Sequence, residues 1–297
     1  MSKIAIIGAG ELGQALGEIL SSSREVFYWD RSEDQLAKLN LPLLSLPEVV
    51  AGADFVFLCI PSWCVREALA FLLPYWPVSA TAVFFSKGID GPTGKLPFEM
   101  AQKLLPKKVD FVVVSGAMIA EEIRTGHFGA CLVASKGLEP SQRVAEIFAG
   151  TNIMAVPSAD LKGVAWAGAL KNIYALGVGI AEGLDWTVNE RGLLFGQANE
   201  EILKLIKLLG GKRETWLMAP ILGDFAVTSF DNHSLNHQVG LELGRNGQTE
   251  KRSEGTMSLA PLIDRLKKKG PKDFPILFNL AQIIIAHEDP KKVFGKY

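Results

Sequence analysis

The stretch Lys3-Ile4-Ala5-Ile6-Ile7-Gly8-Ala9-Gly10-Glu11-Leu12-Gly13 decides the fold. Its apolar start is typical of a buried strand, and residues 12–21 then have the length and pattern of a helix. Between them the glycines follow the spacing G-x-G-x-x-G, which in this context is typical of a dinucleotide-binding βαβ unit. A strand-to-helix turn that merely needs small residues is the weaker interpretation at the head of such a pattern.

Each glycine of this motif has a separate task. Gly8 permits the tight turn, Gly10 lets the backbone approach a pyrophosphate, and Gly13 lets the helix pack closely on the strand. The amides at the helix start, together with the helix dipole, favour phosphate. The sequence therefore predicts NAD or NADP as the cofactor.

Two residues at the end of the second predicted strand bear on which cofactor is used. Asp30 stands where an acidic residue accepts the ribose hydroxyls of NAD. Arg31 follows it, and a guanidinium there can pair with the 2′-phosphate of NADP or remain a solvated surface charge. Both cofactors stay open, with Asp30 favouring NAD.

Apolar, β-rich runs alternate with helix-length segments through the first half of the chain. The predicted strands cover residues 3–8, 25–30, 54–60, 82–86, 111–115 and 131–134. From residue 159 onward the segments are long and helical by periodicity. We predict an α/β protein: a doubly wound, mostly parallel Rossmann sheet over residues 1–157, followed by an all-α substrate domain over residues 158–297.

Composition excludes several classes of partner. The 31 basic and 32 acidic side chains leave a formal charge of -1, which provides no field to recruit nucleic acid or an anionic membrane.

Three cysteines form neither a disulfide framework nor a metal site, so we expect a cytoplasmic protein without a metal. No signal peptide is expected. The apolar stretch over residues 163–181 carries Lys171 and Asn172 at its centre and predicts a buried helix, not a membrane span.

Lys171 is the first catalytic candidate. Apolar residues surround it on nearly every face of the predicted helix, and burial of an unpaired charge is costly. Such a lysine extends to solvent, pairs with an acid, or lies in a functional cavity where its pKa falls. Exposure of Lys171 would also expose its apolar neighbours, so a catalytic role is favoured.

Three further polar segments are candidates for the site. Ser86-Lys87-Gly88 and Ser115-Gly116 follow predicted strands, at the sheet edge where ligands bind in open α/β folds. The third runs from Gly223 through Asp224 to Thr228 and on to residues 233–237. We interpret it as a polar functional loop between helices.

At these positions the chain resembles the NAD(P)-dependent glycerol-3-phosphate dehydrogenase family. The resemblance spans almost the whole chain and rests on the order of its motifs: Gly8-Ala9-Gly10, Ser86-Lys87-Gly88-Ile89, Ser115-Gly116-Ala117, Ala120-Glu121-Glu122, Leu170-Lys171-Asn172, Gly223-Asp224, Ser234 to Asn236 and Glu254-Gly255. It implies a Rossmann domain, a helical substrate domain, a phosphorylated small-molecule substrate and a homodimer.

The resemblance also implies roles for individual residues. Lys171 is implied as the general acid/base, with Lys87 orienting the substrate oxygen and Asp224 holding the lysine. The substrate-binding positions are implied to be Ser115, Gly116, Asn172, Thr228, Ser234 and Asn236. The cofactor-binding positions are implied to be Gly8, Gly10, Glu11, Leu12, Gly13, Asp30, Arg31, Lys87, Ala120 and Glu254.

The chain departs from the family at the expected phosphate site. Where the family has Ser-Arg-Asn, this chain has Ser234-Leu235-Asn236. We hypothesise that another cation replaces the arginine, the candidates being His233, His237, Arg245 and Arg252. Two alternatives also remain: a related hydroxy-acid or polyol dehydrogenase with a different substrate, and a nucleotide-binding homologue without catalysis.

Overall fold

The computed structural model describes residues 2–267 and 269–295. A single sheet of seven strands organises the first half, in the order β2-β1-β3-β4-β5-β6-β7. The strands are β1 (Lys3–Ile7), β2 (Glu25–Trp29), β3 (Phe55–Leu58), β4 (Thr81–Phe84), β5 (Phe111–Ala117), β6 (Gly129–Ser135) and β7 (Ile153–Ser158). Every neighbouring pair is parallel except β5 and β6, where Val112 pairs with Ser135 in antiparallel register. This confirms the predicted mostly parallel sheet.

The seventh strand is absent from the sequence prediction. Strand β7 lies at the sheet edge, is only partly buried and contains Pro157. Proline lacks a backbone donor and is tolerated at sheet edges, so it breaks the sequence pattern without breaking the strand. The predicted division between residues 157 and 158 falls inside this strand.

Helices cover the sheet and form the second half of the chain. Those of the first half are α1 (Glu11–Ser21), α2 (Glu33–Lys38), α3 (Leu46–Val50), α4 (Val65–Leu72), α5 (Pro97–Leu104), α6 (Ala120–Arg124) and α7 (Leu138–Ile147). Those of the second half are α8 (Leu161–Gly183), α9 (Val188–Leu208), α10 (Arg213–Leu217), α11 (Ala219–Phe230), α12 (Leu235–Asn246), α13 (Glu254–Arg265), α14 (Pro275–Ile284) and α15 (Pro290–Phe294).

Helix α8 is the axis of the helical half. Asp160 caps its N-terminus by accepting the Gly163 amide, and almost every residue from Leu161 to Gly183 is buried. By length and apolar composition the helix could cross a bilayer, but its apolar window lies entirely inside the fold. Because it is surrounded by protein, its apolar residues form a core, as the buried-helix interpretation predicts.

The predicted loop after Gly223 is wrong. Residues from Ala219 to Phe230 form helix α11, and only the short segment 231–234 connects it to α12. Gly, Asp, Thr and Ser have weak helix propensity, but Pro220 in the first turn and the buried Ile221 and Phe225 stabilise the helix through packing. Consequently, Asp224 and Thr228 lie one turn apart on a rigid helix.

The hydrophobic core joins the two halves at the site. One core cluster fills one face of the sheet with Ile4, Ile6 and Leu16. The larger cluster begins on the other face and continues without a break into Trp166 and Leu170 of α8. The carboxyl edge of the sheet is thereby fixed against α8, which places Lys171 near the strand ends.

Candidate active site

The glycine loop between β1 and α1 leaves space where a phosphate is expected. Gly8 has φ +104°, and a Cβ there would lie 2.6 Å from the Cys59 carbonyl oxygen. A Cβ on Gly13 would lie 2.0 Å from the Gly8 carbonyl oxygen. At Gly10, in contrast, a Cβ would meet no atom within 4 Å. The tight turn at Gly8, the close helix packing at Gly13 and the open backbone at Gly10 therefore agree with the task expected of each glycine.

Polar side chains hold the middle of this loop rigid. The Ala9 amide donates to Asp30 Oδ2 at 2.8 Å, and the Ala9 carbonyl accepts Nε2 of Gln14 at 2.7 Å and of Gln35 at 3.1 Å. Asp30 Oδ1 accepts the Ser32 amide at 2.9 Å. Neither glutamine is predictable from the sequence, because nothing in the local pattern indicates which carbonyl each side chain reaches.

A cavity of about 500 Å³ opens beside the loop. Its walls come from the strand ends and from α4: Ile7, Gly8, Trp29, Asp30, Arg31, Ile60, Pro61, Cys64, Glu67, Ala68 and Phe71. Its apolar walls with a few polar groups at the rim suit an adenosine, and the open backbone at Gly10 suits the pyrophosphate. The residues present therefore fit NAD or NADP.

The remaining predicted cofactor residues lie around this loop in different settings. The Arg31 guanidinium is largely exposed, 3.6 Å from a Glu67 carboxylate oxygen. Glu11 is exposed in the first turn of α1. Leu12 and Ala120 are half-buried and pack against the core on that face of the sheet. Of these four residues, Arg31 lines the cavity.

Lys171 lies in a buried polar cluster on α8. Its Nζ donates to Asp224 Oδ1 at 2.6 Å and to Thr228 Oγ1 at 2.7 Å. Only 7% of the residue is exposed. Burial, opposed by Asp224 and assisted by the charge of Lys87, lowers the pKa of Lys171 to about 8. A lysine whose pKa lies close to neutral pH is suited to exchange a proton with a substrate.

Lys87 completes the cluster from the Rossmann half. Its Nζ donates to Asp224 Oδ2 at 2.9 Å and to the Gly116 carbonyl at 3.0 Å. Burial acts to raise the pKa of Asp224, but the Lys171 and Lys87 ammonium groups outweigh burial and hold that pKa below its ordinary value. Asp224 is therefore a carboxylate shared by two cations from opposite sides of the site.

The predicted substrate residues separate into two groups. Asn172, Thr228 and Asn236 are buried and bonded to the lysine cluster or to one another. Ser234 caps α12, with its Oγ accepting the His237 amide at 3.4 Å. Ser115 is 1% exposed, and its Oγ would lie 3.0 Å from a Cβ built on Gly168, which is also 3.3 Å from Lys87 Cγ.

Glu254 links the two halves of the molecule. It begins α13, and its carboxylate accepts the Ser62 amide at 2.8 Å and the Ser62 hydroxyl at 2.5 Å. Gly88 lies against this pair, and a Cβ there would be 2.2 Å from Glu254 Oε2. Burial raises the pKa of Glu254 to about 7, although both bonds to Ser62 act to lower it. Ser62 is not among the residues predicted from the sequence.

Two of the four candidates for the missing cation are excluded. His237 is completely buried under α8, with its Nε2 3.5 Å from a Glu182 oxygen, so it cannot reach a ligand. Arg245 lies in the last turn of α12, at the opposite end from Asn236. His233 and Arg252 are exposed and remain candidates.

Comparisons with known proteins agree with this geometry. Residues 160–295 match the family described as NAD-dependent glycerol-3-phosphate dehydrogenase C-terminus, and residues 41–141 match its N-terminus. The glycerol-3-phosphate dehydrogenase (NAD(P)+) of Bacillus velezensis is 31% identical over 84% of this chain and 79% of its own length. That of Geobacillus kaustophilus is 31% identical over 98% of this chain and 93% of its own length.

Solved structures share the whole architecture. Glycerol-3-phosphate dehydrogenase from Coxiella burnetii superposes with a TM-score of 0.90 over 99% of this chain and 97% of that chain, at 24% identity. Glycerol-3-phosphate dehydrogenase from Saccharomyces cerevisiae superposes with a TM-score of 0.83 over 98% of each chain, at 19% identity. These likenesses establish the fold, and the two matching family descriptions with the 31% identical relatives establish the family. The chain belongs to the NAD-dependent glycerol-3-phosphate dehydrogenase family.

Proposed function

We propose that this protein interconverts sn-glycerol 3-phosphate and dihydroxyacetone phosphate by hydride transfer with NAD or NADP. The observation that carries the proposal is the contact of the buried Lys171 Nζ with Asp224 at 2.6 Å. This pair lies beside the strand edge that bears the glycine loop. The relatives named glycerol-3-phosphate dehydrogenase (NAD(P)+) support the choice of substrate.

Lys171 is the general acid/base of the proposed reaction. In the oxidative direction its neutral amine takes the proton of the secondary hydroxyl, and in the reductive direction its ammonium returns a proton to the ketone oxygen. Bound NAD or NADP supplies the hydride acceptor or donor. A pKa of about 8 lets Lys171 serve both directions close to neutral pH.

Asp224, Lys87 and Thr228 prepare Lys171 for this task. Asp224 fixes the direction of the Lys171 amine and, with the hydroxyl of Thr228, keeps the ammonium paired when it is protonated. Lys87 presents a second cation beside the same carboxylate, where it orients the substrate oxygen and favours the neutral form of Lys171.

The proposed cofactor-binding residues surround the glycine loop. Gly8, Gly10 and Gly13 hold the pyrophosphate at the start of α1, and Asp30 with Arg31 faces the adenosine ribose. The other proposed cofactor contacts are Glu11, Leu12, Lys87, Ala120 and Glu254. The 2.8 Å bond from the Ala9 amide to Asp30 keeps this carboxylate at the base of the cavity.

Cofactor oxidation by the purified protein tests the activity. We expect NADH or NADPH to be consumed one for one with dihydroxyacetone phosphate, and much more slowly with dihydroxyacetone, which lacks the phosphate. The same assay with 2-keto acids and unphosphorylated polyol-derived ketones covers the related dehydrogenases. An absence of turnover above background with dihydroxyacetone phosphate and either cofactor would overturn the proposal.

We further propose that the protein is a cytoplasmic homodimer. Three unpaired cysteines suit a reducing compartment. The proposed dimer is supported by large apolar side chains that are exposed on the helical half and that a second chain would cover: Val188, Leu193, Leu217 and Phe230. Light scattering is expected to give the mass of two chains, and cell fractionation is expected to place the full chain with cytoplasmic markers. A single-chain mass at micromolar concentration would contradict the dimer.

A further inference from the structure

A run of three hydrogen bonds connects α13 to the main chain of Lys87. The Gly255 amide donates to Asn236 Oδ1 at 2.9 Å, Asn236 Nδ2 donates to Asn172 Oδ1 at 3.0 Å, and Asn172 Nδ2 donates to the Lys87 carbonyl at 3.0 Å. Asn236 is 9% exposed and Asn172 is 4% exposed. We refer to these three bonds as the amide chain.

The two ends of the amide chain fix its direction. One end is a backbone N–H, which only donates, and the other is a backbone carbonyl, which only accepts. Both asparagine amides must therefore have the same orientation along the chain, since a flip of either one would oppose two donors or two acceptors. In a buried setting such a mismatch leaves polar groups unpaired and costs free energy.

The amide chain crosses a tight junction. A Cβ on Gly255 would lie 2.3 Å from the Asn172 carbonyl oxygen and 2.9 Å from Asn236 Oδ1. The start of α13 therefore contacts α8 and α12 without an intervening side chain. Since Lys87 belongs to the Rossmann half, the third bond ties that half to the helical half beside the lysine cluster.

Lys87 is consequently held at both ends. The amide chain holds its carbonyl, while Asp224 and the Gly116 carbonyl hold its ammonium at 2.9 and 3.0 Å. A long, flexible side chain aims its charge reproducibly only when its main chain is fixed as well. The amide chain supplies this second restraint.

We propose that Asn236, acting through Asn172, is a positioning residue that sets the main chain of Lys87 and thereby places the Lys87 ammonium against Asp224. This role rests on the proposed function for its consequence in catalysis, and it differs from direct contact between Asn236 and a substrate phosphate. A phosphate ligand acts on substrate affinity, whereas a positioning residue acts through Lys87.

A crystal structure of Asn236→Ala tests the placement without any need for activity. We expect the Lys87 carbonyl to turn away from Asn172 and the distance from Lys87 Nζ to Asp224 to lengthen beyond 4 Å. Gln238→Ala, on the same helix, is the matched control, because it removes another side-chain amide, whose Nε2 donates to the Asn232 carbonyl. An unchanged Lys87 in Asn236→Ala would overturn the proposal.

Kinetics of the same variants test the consequence. We expect Asn236→Ala to lower kcat about tenfold, with little change in the Kd of NADH. In the Lys87→Met variant, adding Asn236→Ala should lower kcat by less than about twofold, because the ammonium that Asn236 is proposed to position is already absent. Equal losses in both backgrounds, or an effect confined to the KM of dihydroxyacetone phosphate, would contradict positioning through Lys87.

The pH profile separates positioning from a general loss of structure. Lys87 lowers the pKa of Lys171, so its displacement should move the limb assigned to Lys171 to higher pH, in the same direction as Lys87→Met. An unmoved limb would oppose the proposal. If the wild-type protein itself lacks turnover, the proposed function fails, while the crystallographic distance still decides the role of Asn236.

Discussion

The Nζ of Lys171 lies 2.6 Å from Oδ1 of Asp224, although 53 positions separate the two residues in the chain. Helix α8 supplies the lysine and α11 supplies the carboxylate, and both groups are buried. A buried charge pair of this kind contributes little net stability compared with apolar packing. Its presence in an otherwise apolar helix therefore suits the proposed proton transfer.

The pH dependence of the two directions should be opposite. Oxidation of glycerol 3-phosphate needs neutral Lys171, so kcat/KM should rise as pH increases through about 8. Reduction of dihydroxyacetone phosphate needs the ammonium form, so its kcat/KM should fall over the same range. Steady-state rates from pH 6 to 10 in both directions check this, and profiles of the same sign would count against Lys171 as the titrating group.

Asp224→Asn should lower activity and move the pH profile. The carboxylate raises the pKa of Lys171, so its loss should shift the Lys171 limb below pH 8 and leave two cations unpaired. We expect kcat to fall by about 100-fold or more. The exposed Asp264→Asn is the control. A profile that stays in place after Asp224→Asn would show that this carboxylate does not tune the lysine.

Two glycine substitutions should have different effects. Gly10→Ala meets no atom within 4 Å, so the fold should be kept while the methyl group occupies space needed by the pyrophosphate. We expect the Kd of NADH to rise about tenfold or more with an unchanged Tm. Gly13→Ala places a Cβ 2.0 Å from the Gly8 carbonyl and should reduce the free energy of unfolding by about 1–3 kcal/mol. Titration calorimetry measures the Kd of NADH, and thermal melts measure the Tm of each variant. Equal losses of Tm in Gly10→Ala and Gly13→Ala would contradict the prediction that only Gly13 is needed for packing.

Leu235→Arg should improve substrate binding. Leu235 is 46% exposed at the start of α12 and stands where the resemblance places an arginine. A guanidinium there would add a charge-assisted bond of about 1.5–3 kcal/mol to the phosphate, lowering the KM of dihydroxyacetone phosphate about tenfold or more. Leu208→Arg, 49% exposed on the helical half and outside the proposed dimer surface, is the control. An unchanged KM would mean that the phosphate is bound away from Leu235.

Local patterns explain what the sequence could predict. The glycine loop and the first six strands depend on residues within a few positions of one another, so their apolar runs and glycine spacing suffice. The apolar surroundings of Lys171 likewise predicted that its helix is buried. These features required no knowledge of distant contacts.

Long-range contacts explain what the sequence could not predict. Helix α11 forms because Ile221 and Phe225 are buried by other elements, which overrides the weak propensity of its polar residues. The bond from Ser62 to Glu254 joins residues 192 positions apart. Nothing near either residue indicates that partner. The bonds that orient the site were therefore visible only in the folded structure.

The most direct test compares wild-type protein with Lys171→Ala in the oxidation of NADH or NADPH by dihydroxyacetone phosphate. Lys162→Ala, exposed on the same helix, is the matched control. We predict turnover by the wild type and by the control, and a loss of about 10²–10⁴-fold in Lys171→Ala with the Kd of NADH nearly unchanged. Activity of Lys171→Ala close to wild type would contradict the assignment of Lys171 as the general acid/base.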